Sequence, residues 1–161
     1  MGCSVYQSRN IEIRESIQED ILAIKDRLRK EEVQEVWASN NATPEKALTE
    51  SFKRSSKCYT FLIDGIPAAM FGIAPDSLLS NSASVWFLGT DDMGRAKKTF
   101  MVQSRRFINL LLKEYPVLYN FVDYRYKKTL QWLEWCGAKI FDPAPYGRDQ
   151  LPFCRIELRS A

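Results

Sequence analysis

The segment that most constrains the fold is residues 84–113, where an apolar run leads through a short polar loop into a long amphipathic pattern. The run at 85–89 reads VWFLG, and its length and aromatic content are typical of a buried strand. The loop TDDMGRA follows at 90–96. Apolar residues then recur every three or four positions to about residue 113, which predicts an amphipathic helix. We therefore expect a strand, a short loop and a helix that begins near residue 95.

The expected start of this helix is rich in positive charge. Arg95, Lys97 and Lys98 all fall in or next to its first turn. Cations are unfavourable there, because the helix dipole and the free backbone N–H groups already make that end positive. An anion over the turn would reverse the balance. The pattern predicts an anionic ligand, such as a phosphate group, between Asp91 and Lys98; the alternative is a solvated basic turn.

The first third of the chain is predicted to be mostly helical. Residues 1–10 are polar and are expected to be a loosely held N-terminus, and residues 11–14 alternate as a short strand does. Ser16 and Glu19 have the spacing of a capping box, followed by helical periodicity to about residue 29. A second helix is expected over about 31–39, and Thr43 with Pro44 marks the start of a third.

The remaining pattern alternates strands and helices. Asp64-Gly65 joins two apolar runs at 59–63 and 66–73 and predicts a hairpin. Another buried strand is expected at 118–122, a helix over about 126–136 that Gly137 ends, and strands at 138–141 and 154–158 around a loop at 142–149. Short connections favour antiparallel pairing of the early strands. We predict a single α+β, or mixed α/β, domain over residues 11–161.

Composition excludes several classes of function. The chain has no histidine, which excludes Ser-His-Asp and Cys-His catalysis and any histidine-ligated metal. A general base must then be a carboxylate, Tyr, Lys, Cys or water. The four cysteines lack C-x-x-C spacing, so no metal site is predicted. A net charge of +3 does not argue for nucleic acid, and no apolar run is long enough for a membrane. Without a signal peptide, the expected location is the cytoplasm.

The loop after the central strand carries the pattern Asp91-x-x-Gly94-x-Ala96. Its place between strand and helix, and the order of all elements from about residue 11 to residue 159, resemble the GNAT N-acetyltransferase superfamily, whose loop reads Gln/Arg-x-x-Gly-x-Gly/Ala. The resemblance implies a mostly antiparallel, splayed central sheet flanked by helices, and acetyl-CoA as acyl donor. It places the cofactor along the backbone of residues 87–90, with its pyrophosphate at residues 94–96. The implied cofactor-binding residues are Phe87, Leu88, Gly89, Thr90, Gly94, Arg95, Ala96 and Lys98.

The sequence also departs from this family. Asp91 replaces Gln or Arg, and it would repel a pyrophosphate unless it caps the helix instead. The family's later helix often reads Asn-x-x-Ala and then Tyr four residues before a Gly; here Tyr126, Thr129 and Leu133 hold those three places. The usual tyrosine acid is therefore missing. Tyr124 or Tyr126 is a candidate substitute, and the alternative is that both only pack.

Candidate residues for the acceptor side are carboxylates. Glu32 and Glu35 fall on the segment that often lines the acceptor site in this family, where they would act as a base or contact the acceptor's ammonium group. The alternative is a solvated helix face. Asp123, just after a strand, is a further candidate.

A narrower resemblance is to the internal virion protein A group of short-tailed phages. It rests on short segments that no catalytic signature contains: Glu32-x-x-Glu35-Val36-Trp37-Ala38, Leu62-Ile63-Asp64-Gly65, Met70-Phe71-Gly72, Trp132-Leu133-x-x-x-Gly137-Ala138 and Pro145-Tyr146-Gly147. It implies a phage protein in the infected host cell. Two hypotheses follow: an acetyl-CoA-dependent N-acetyltransferase for an unknown amine, small molecule or protein, or a non-catalytic assembly protein that contacts phage structural proteins. Nucleic-acid binding is the weakest reading.

Overall fold

The computed structural model describes residues 2–160, which form one sheet with helices on both faces. The strands are β1 (Ser4–Ser8), β2 (Ile11–Glu15), β3 (Lys57–Ile63), β4 (Ile66–Pro75), β5 (Ser82–Gly89), β6 (Val117–Asp123), β7 (Lys139–Ile140), β8 (Ala144–Tyr146) and β9 (Leu151–Arg159). The helices are α1 (Gln18–Ile24), α2 (Lys30–Asn40), α3 (Pro44–Arg54), α4 (Lys97–Glu114) and α5 (Lys127–Trp135), and a 3₁₀ helix spans Asp91–Ala96.

The sheet is mixed and mostly antiparallel, which confirms the predicted fold class. Its strand order is β1-β2-β3-β4-β5-β6-β9-β7, and β8 pairs with β9. Only the β5–β6 pair, among the pairs that the structure describes, is parallel. The parallel pair arises because the connection between β5 and β6 is a crossover through the 3₁₀ helix and α4.

Three local signals in the sequence are confirmed. Asp64 and Gly65 have φ values of 53° and 76°, as a tight hairpin turn requires. The Thr43 hydroxyl accepts a hydrogen bond from the Lys46 N–H at 3.3 Å and so caps α3, with Pro44 as its first residue. Gly137, with φ of 101°, follows the end of α5.

The N-terminal segment is more ordered than the sequence indicates. Residues 4–8, expected to be loosely held, form β1 and pair with β2, and the Glu15 N–H donates to the Cys3 carbonyl at 2.8 Å. No apolar alternation marks β1 in the sequence, because four of the five residues of this edge strand are exposed. The expectation for residues 4–8 is therefore corrected.

The start of α1 differs by one residue from the predicted capping box. Ile17 is the N-cap, and its N–H donates to the Asp20 carboxylate at 2.9 Å, so that Asp20 rather than Glu19 completes the box. Asp20 is fixed there because Arg14 and Thr60 also donate to it. The helix ends at Ile24 rather than near residue 29.

Two further boundaries are corrected. The long helix begins at Lys97, not near Arg95, because residues 91–96 form a 3₁₀ helix that buries Met93 and Ala96 against the core. Residues 144–146, expected in a loop, form β8 at the side of β9.

The helices divide the core between the two faces of the sheet. One face packs against α1, α2 and α3, with Met70 and Leu88 of the central strands buried there. The other face packs against α4 and α5. Successive residues of β5 alternate between the faces, so Leu88 points to one layer and Phe87 to the other. This alternation places the end of β5 between the two helical layers.

Candidate functional site

The central sheet opens between β5 and β6. Within residues 2–160 the two strands pair only at Ser82–Val117, Ala83–Leu118 and Ser84–Tyr119, although β5 continues to Gly89 and β6 to Asp123. The Asn120 side-chain amide donates to the Val85 carbonyl and replaces the next backbone hydrogen bond. Beyond this point the strands diverge, and a gap opens in the middle of the sheet.

Backbone groups of β5 face this gap. The Thr90 N–H donates to the Ala68 carbonyl at 2.9 Å, so the even-numbered residues of β5 pair with β4. The odd-numbered residues must then direct their N–H and carbonyl groups towards β6. Two of those carbonyls are taken, Val85 by Asn120 and Gly89 by the Arg29 N–H at 2.9 Å. The backbone of Phe87 remains directed into the gap, while the Gly89 N–H lies against the Glu32 carboxylate and lowers the pKa of that group.

Helix α2 spans the wide end of the gap. The residue before it, Arg29, holds the end of β5 through the Gly89 carbonyl. Further along α2, Glu35 accepts a hydrogen bond from the Asp123 N–H at 3.0 Å, which holds the end of β6. Glu32 lies between these two anchors and pairs with the Arg29 guanidinium. The helix therefore brings two carboxylates to the opening.

Burial makes these carboxylates weak acids. It raises the pKa of Glu35 to about 7, helped by the negative charges of Glu32 and Asp123 and opposed by the Asp123 N–H and Arg29. Burial also raises the pKa of Glu32, against the opposing charge of Arg29. A carboxyl group with a pKa near 7 exchanges a proton readily at neutral pH, as a general base requires.

A cavity of about 450 Å³ passes through the gap. On the α2 side its lining includes Arg29, Glu32 and Glu35. On the other side it extends between α4 and α5. Groups on opposite faces of the sheet can therefore meet in this cavity.

The mouth of the cavity between α4 and α5 favours anions. Both helices begin without a side-chain cap, and no acidic residue lies in either first turn. Lys97 and Lys128, one from each first turn, line the cavity beside Gly94. A Cβ atom built on Gly94 would meet nothing within 4 Å, so the space above this glycine is open. The first turns of α4 and α5 and these two lysines therefore lie on the cavity wall, together with Asp91.

Only some of the predicted cofactor-binding residues lie at this cavity. Phe87, Thr90 and Gly94 line it, and Gly89 faces the gap through its backbone. The Leu88 side chain packs on the opposite face. Another hollow holds the rest of the set: Arg95, Ala96 and Lys98, together with Arg9. Arg95 pairs with Asp64 at 3.2 Å, so its charge is balanced within the protein.

The predicted catalytic residues are placed differently from one another. Tyr126 lines the cavity and its hydroxyl donates to Gln34 at 2.8 Å; burial raises the pKa of this phenol to about 12. Glu35 lies at the same cavity. Asp123 is fully buried and is held by the Arg125 guanidinium at 2.7 Å. Tyr124 is exposed beneath the Lys127 ammonium and is not part of the cavity lining described. The structure thus brings Tyr126 and Glu35 to one cavity and leaves Tyr124 outside.

Sequence reasoning missed several residues of this site. Lys128 has the same signal as the cations near residue 95, since Lys127 and Lys128 open a helix without an acidic residue. Arg29 had no local signal, because its role depends on contact with Gly89 in a distant strand. Its Nε atom is buried and has no hydrogen-bond partner among the described residues.

Solved acetyltransferase structures share this fold. No family model and no curated protein matches the sequence. Ard1 from Thermoplasma volcanium superposes with a TM-score of 0.71 at 13% identity, over 95% of this chain and 99% of that one. The ribosomal-protein-S5-alanine acetyltransferase from Vibrio fischeri gives 0.69 at 11% identity, over 98% and 96%.

A third structure, the spermidine N-acetyltransferase from Vibrio cholerae in complex with CoA and spermine, gives 0.67 at 12% identity, over 93% of this chain and 95% of that one. These likenesses show that the chain has the GNAT acetyltransferase fold. No helix within residues 2–160 is long and apolar enough to cross a membrane.

Proposed function

We propose that this chain is an N-acyltransferase that moves an acyl group from acyl-CoA to an amine. The observation that carries the proposal is the cavity through the divided sheet, with a cationic mouth on the α4 and α5 side and carboxylates on the α2 side. The cationic mouth suits a thioester of the anionic CoA, and the carboxylates on the α2 side suit an amine. The GNAT fold of the chain supports this assignment.

The donor side fits CoA. Gly94 leaves open space for phosphate groups, and Lys97, Lys128 and the two helix ends supply positive charge. The Phe87 backbone can hydrogen-bond to an amide group of CoA as a neighbouring strand would. When bound, CoA supplies an acyl thioester whose carbonyl carbon accepts the amine.

The acceptor side fits a protonated amine that must lose its proton. Glu35, with a pKa of about 7, can attract the ammonium form and take a proton from it at neutral pH, while Glu32 is already paired with Arg29. Tyr126 keeps its proton at neutral pH and is the candidate acid that protonates the departing thiolate. Tyr124, outside the cavity lining, is not assigned this role.

A substitution at the mouth tests the donor site. Gly94→Glu should weaken acetyl-CoA binding at least about 100-fold, because a carboxylate would occupy the space proposed for phosphates. The variant should still fold, since a Cβ atom meets nothing within 4 Å there. Calorimetric titration of acetyl-CoA measures the effect.

The matched control is Asn109→Glu, which adds the same charge at an exposed position on α4. It should bind acetyl-CoA as the unchanged chain does. Equal affinity of Gly94→Glu and the unchanged chain, or no binding to either, would contradict the proposed donor site.

A second candidate function is a non-catalytic assembly role in a phage, in the cytoplasm of an infected cell and in contact with phage structural proteins. Leu133, at the place of the family's tyrosine acid, is buried in the cavity wall. Aromatic rings also narrow the cavity: the Phe100 centroid lies 5.1 Å from Phe87 and 5.2 Å from Trp132. The absence of heat with millimolar acetyl-CoA would favour this role.

A further inference from the structure

The cavity continues well past the gap in the sheet. From Lys97 at the mouth, its lining follows α4 as far as Leu111, which is about four helical turns or about 21 Å. It reaches Ile156 and Leu158 of β9 on the floor. An acetyl group delivered at Gly89 would leave this deep part of the cavity unused.

The deep part is apolar. Its walls come from α4, α5 and the strands below them, and include Ile108, Leu111, Val122, Leu133, Ile156 and Leu158. The polar side chains nearest to it are already engaged. Ser104 accepts a hydrogen bond from the Trp132 indole at 3.1 Å, and Asn120 donates to Val85. The deep part therefore suits a hydrocarbon and offers little to a polar ligand.

The volume agrees with this reading. An apolar cavity of about 150 Å³ is enough to hold benzene. The whole cavity here has a volume of about 450 Å³, which includes the mouth and the gap as well as the deep part. Empty apolar space is costly to a folded protein, so a ligand that filled the deep part would contribute to stability as well as to binding.

Charge at the mouth identifies the kind of molecule. Lys97 and Lys128 stand at one end and hydrocarbon side chains at the other, which is complementary to a long molecule with an anionic head and an apolar tail. We propose that the donor is a medium-chain acyl-CoA, with its acyl chain beneath α4 between Ile108 and Leu158. This inference rests on the proposed acyltransferase function and specifies the acyl group that is transferred.

A chain-length series tests the inference on the full chain. Calorimetry with acetyl-, butyryl- and octanoyl-CoA should show affinity rising along the series, with octanoyl-CoA at least about 10-fold tighter than acetyl-CoA, because each buried methylene adds affinity. The series needs no variant, so it does not depend on the folding of a mutant.

A pair of adjacent substitutions on α4 locates the acyl chain. Leu111→Trp fills the deep end and should remove the advantage of octanoyl-CoA over acetyl-CoA. Leu110→Trp is the control, because Leu110 is exposed on the same helix and should leave the whole series unchanged.

The outcomes separate this inference from the function on which it rests. Binding of acetyl-CoA with no gain, or a loss, for octanoyl-CoA overturns the medium-chain inference and leaves the acyltransferase proposal standing. Failure of every CoA ester to bind overturns both. Binding of free octanoate as tight as that of octanoyl-CoA also overturns the inference, because the cavity would then be a site for fatty acids.

Discussion

Replacing Glu35 with glutamine is expected to lower kcat/KM about 100- to 10,000-fold, the range that a general base contributes. Glutamine cannot take the proton from the amine, although its carbonyl can still accept the hydrogen bond from the Asp123 N–H. Affinity for acetyl-CoA should not change, because Glu35 lies on the α2 side of the gap. Initial rates and calorimetry on the same samples separate the two effects.

The pH profile tests the proposed role of Glu35 as the base. With a pKa of about 7, raised by burial, its ionised fraction increases through neutrality, so kcat/KM of the unchanged chain should rise with pH and level off above about 8. That limb should vanish in Glu35→Gln. Acceptors with amines of different pKa provide the control, since a limb that moved with the amine would belong to the substrate and contradict the assignment.

The same substitution should raise stability in alkaline solution. An unfolded glutamate has a pKa of about 4.3, so between that value and about 7 the folded chain binds more protons than the unfolded chain. Stability is therefore lost as pH rises through this window, because the ionised Glu35 lies near Glu32 and Asp123 and the Asp123 N–H and Arg29 offset its cost only in part. Glu35→Gln should melt higher than the unchanged chain at pH 8, with a smaller difference at pH 5. No dependence on pH would contradict the raised pKa.

Asp20→Ala is expected to lower the free energy of unfolding by about 3–5 kcal/mol, the typical cost of removing one member of a buried ion pair. The Asp20 carboxylate is 2% exposed. It accepts two hydrogen bonds from Arg14, at 2.8 and 2.9 Å, and one from Thr60 at 2.7 Å. It also accepts the Ile17 N–H that begins α1, so its loss affects two strands and a helix. Urea unfolding followed by circular dichroism measures the change.

Glu19→Ala is the matched control, because Glu19 is the exposed carboxylate next to Asp20 in the same helical turn. It should change the free energy of unfolding by no more than about 0.5 kcal/mol. Both substitutions remove a negative charge near the start of α1. Equal losses of unfolding free energy would therefore show that the buried cluster around Asp20 adds nothing beyond the interaction of that charge with the helix dipole.

Stability in acid should also depend on the cluster around Asp20. Burial alone would raise the pKa of Asp20, but the hydrogen bonds from Arg14, Thr60 and the Ile17 N–H lower it below its ordinary value. The stabilisation from Asp20 is therefore fully present above the unfolded pKa of about 3.9 and is lost as pH falls through the lower, folded pKa. Asp20→Asn should remove this part of the acid dependence.

Features that depend on a few adjacent residues could be predicted from the sequence. The Asp64-Gly65 turn, the Thr43 cap and the strand before the loop at 90–96 all follow from local backbone preferences. β1 could not be found this way, since its residues are held by pairing with β2 and not by burial of an apolar face. The capping residue of α1 was misassigned because Asp20 is fixed by Arg14 and Thr60, which lie in two different strands.

The candidate site shows the same division. The positive charge at the start of α4 could be predicted from the sequence, but the pairing of Arg95 with Asp64 across a distant hairpin could not. The contact of Glu35 with the Asp123 N–H joins residues that no local pattern connects. The depth of the cavity depends on how far α4 lies from the sheet. The spacing of apolar residues along α4 does not determine that distance.

The narrow junction between β5 and β6 has a mechanical consequence. In the part of the chain that the structure describes, three residue pairs and the Asn120 side-chain amide are all that join the two halves of the sheet at this junction. Local opening of a fold begins where few backbone bonds must break, so this junction should open more readily than the longer pairings β3–β4 and β4–β5 on one side and β6–β9 on the other. A ligand bound in the gap contacts both halves of the sheet and holds them together. Binding should therefore make the whole molecule more rigid.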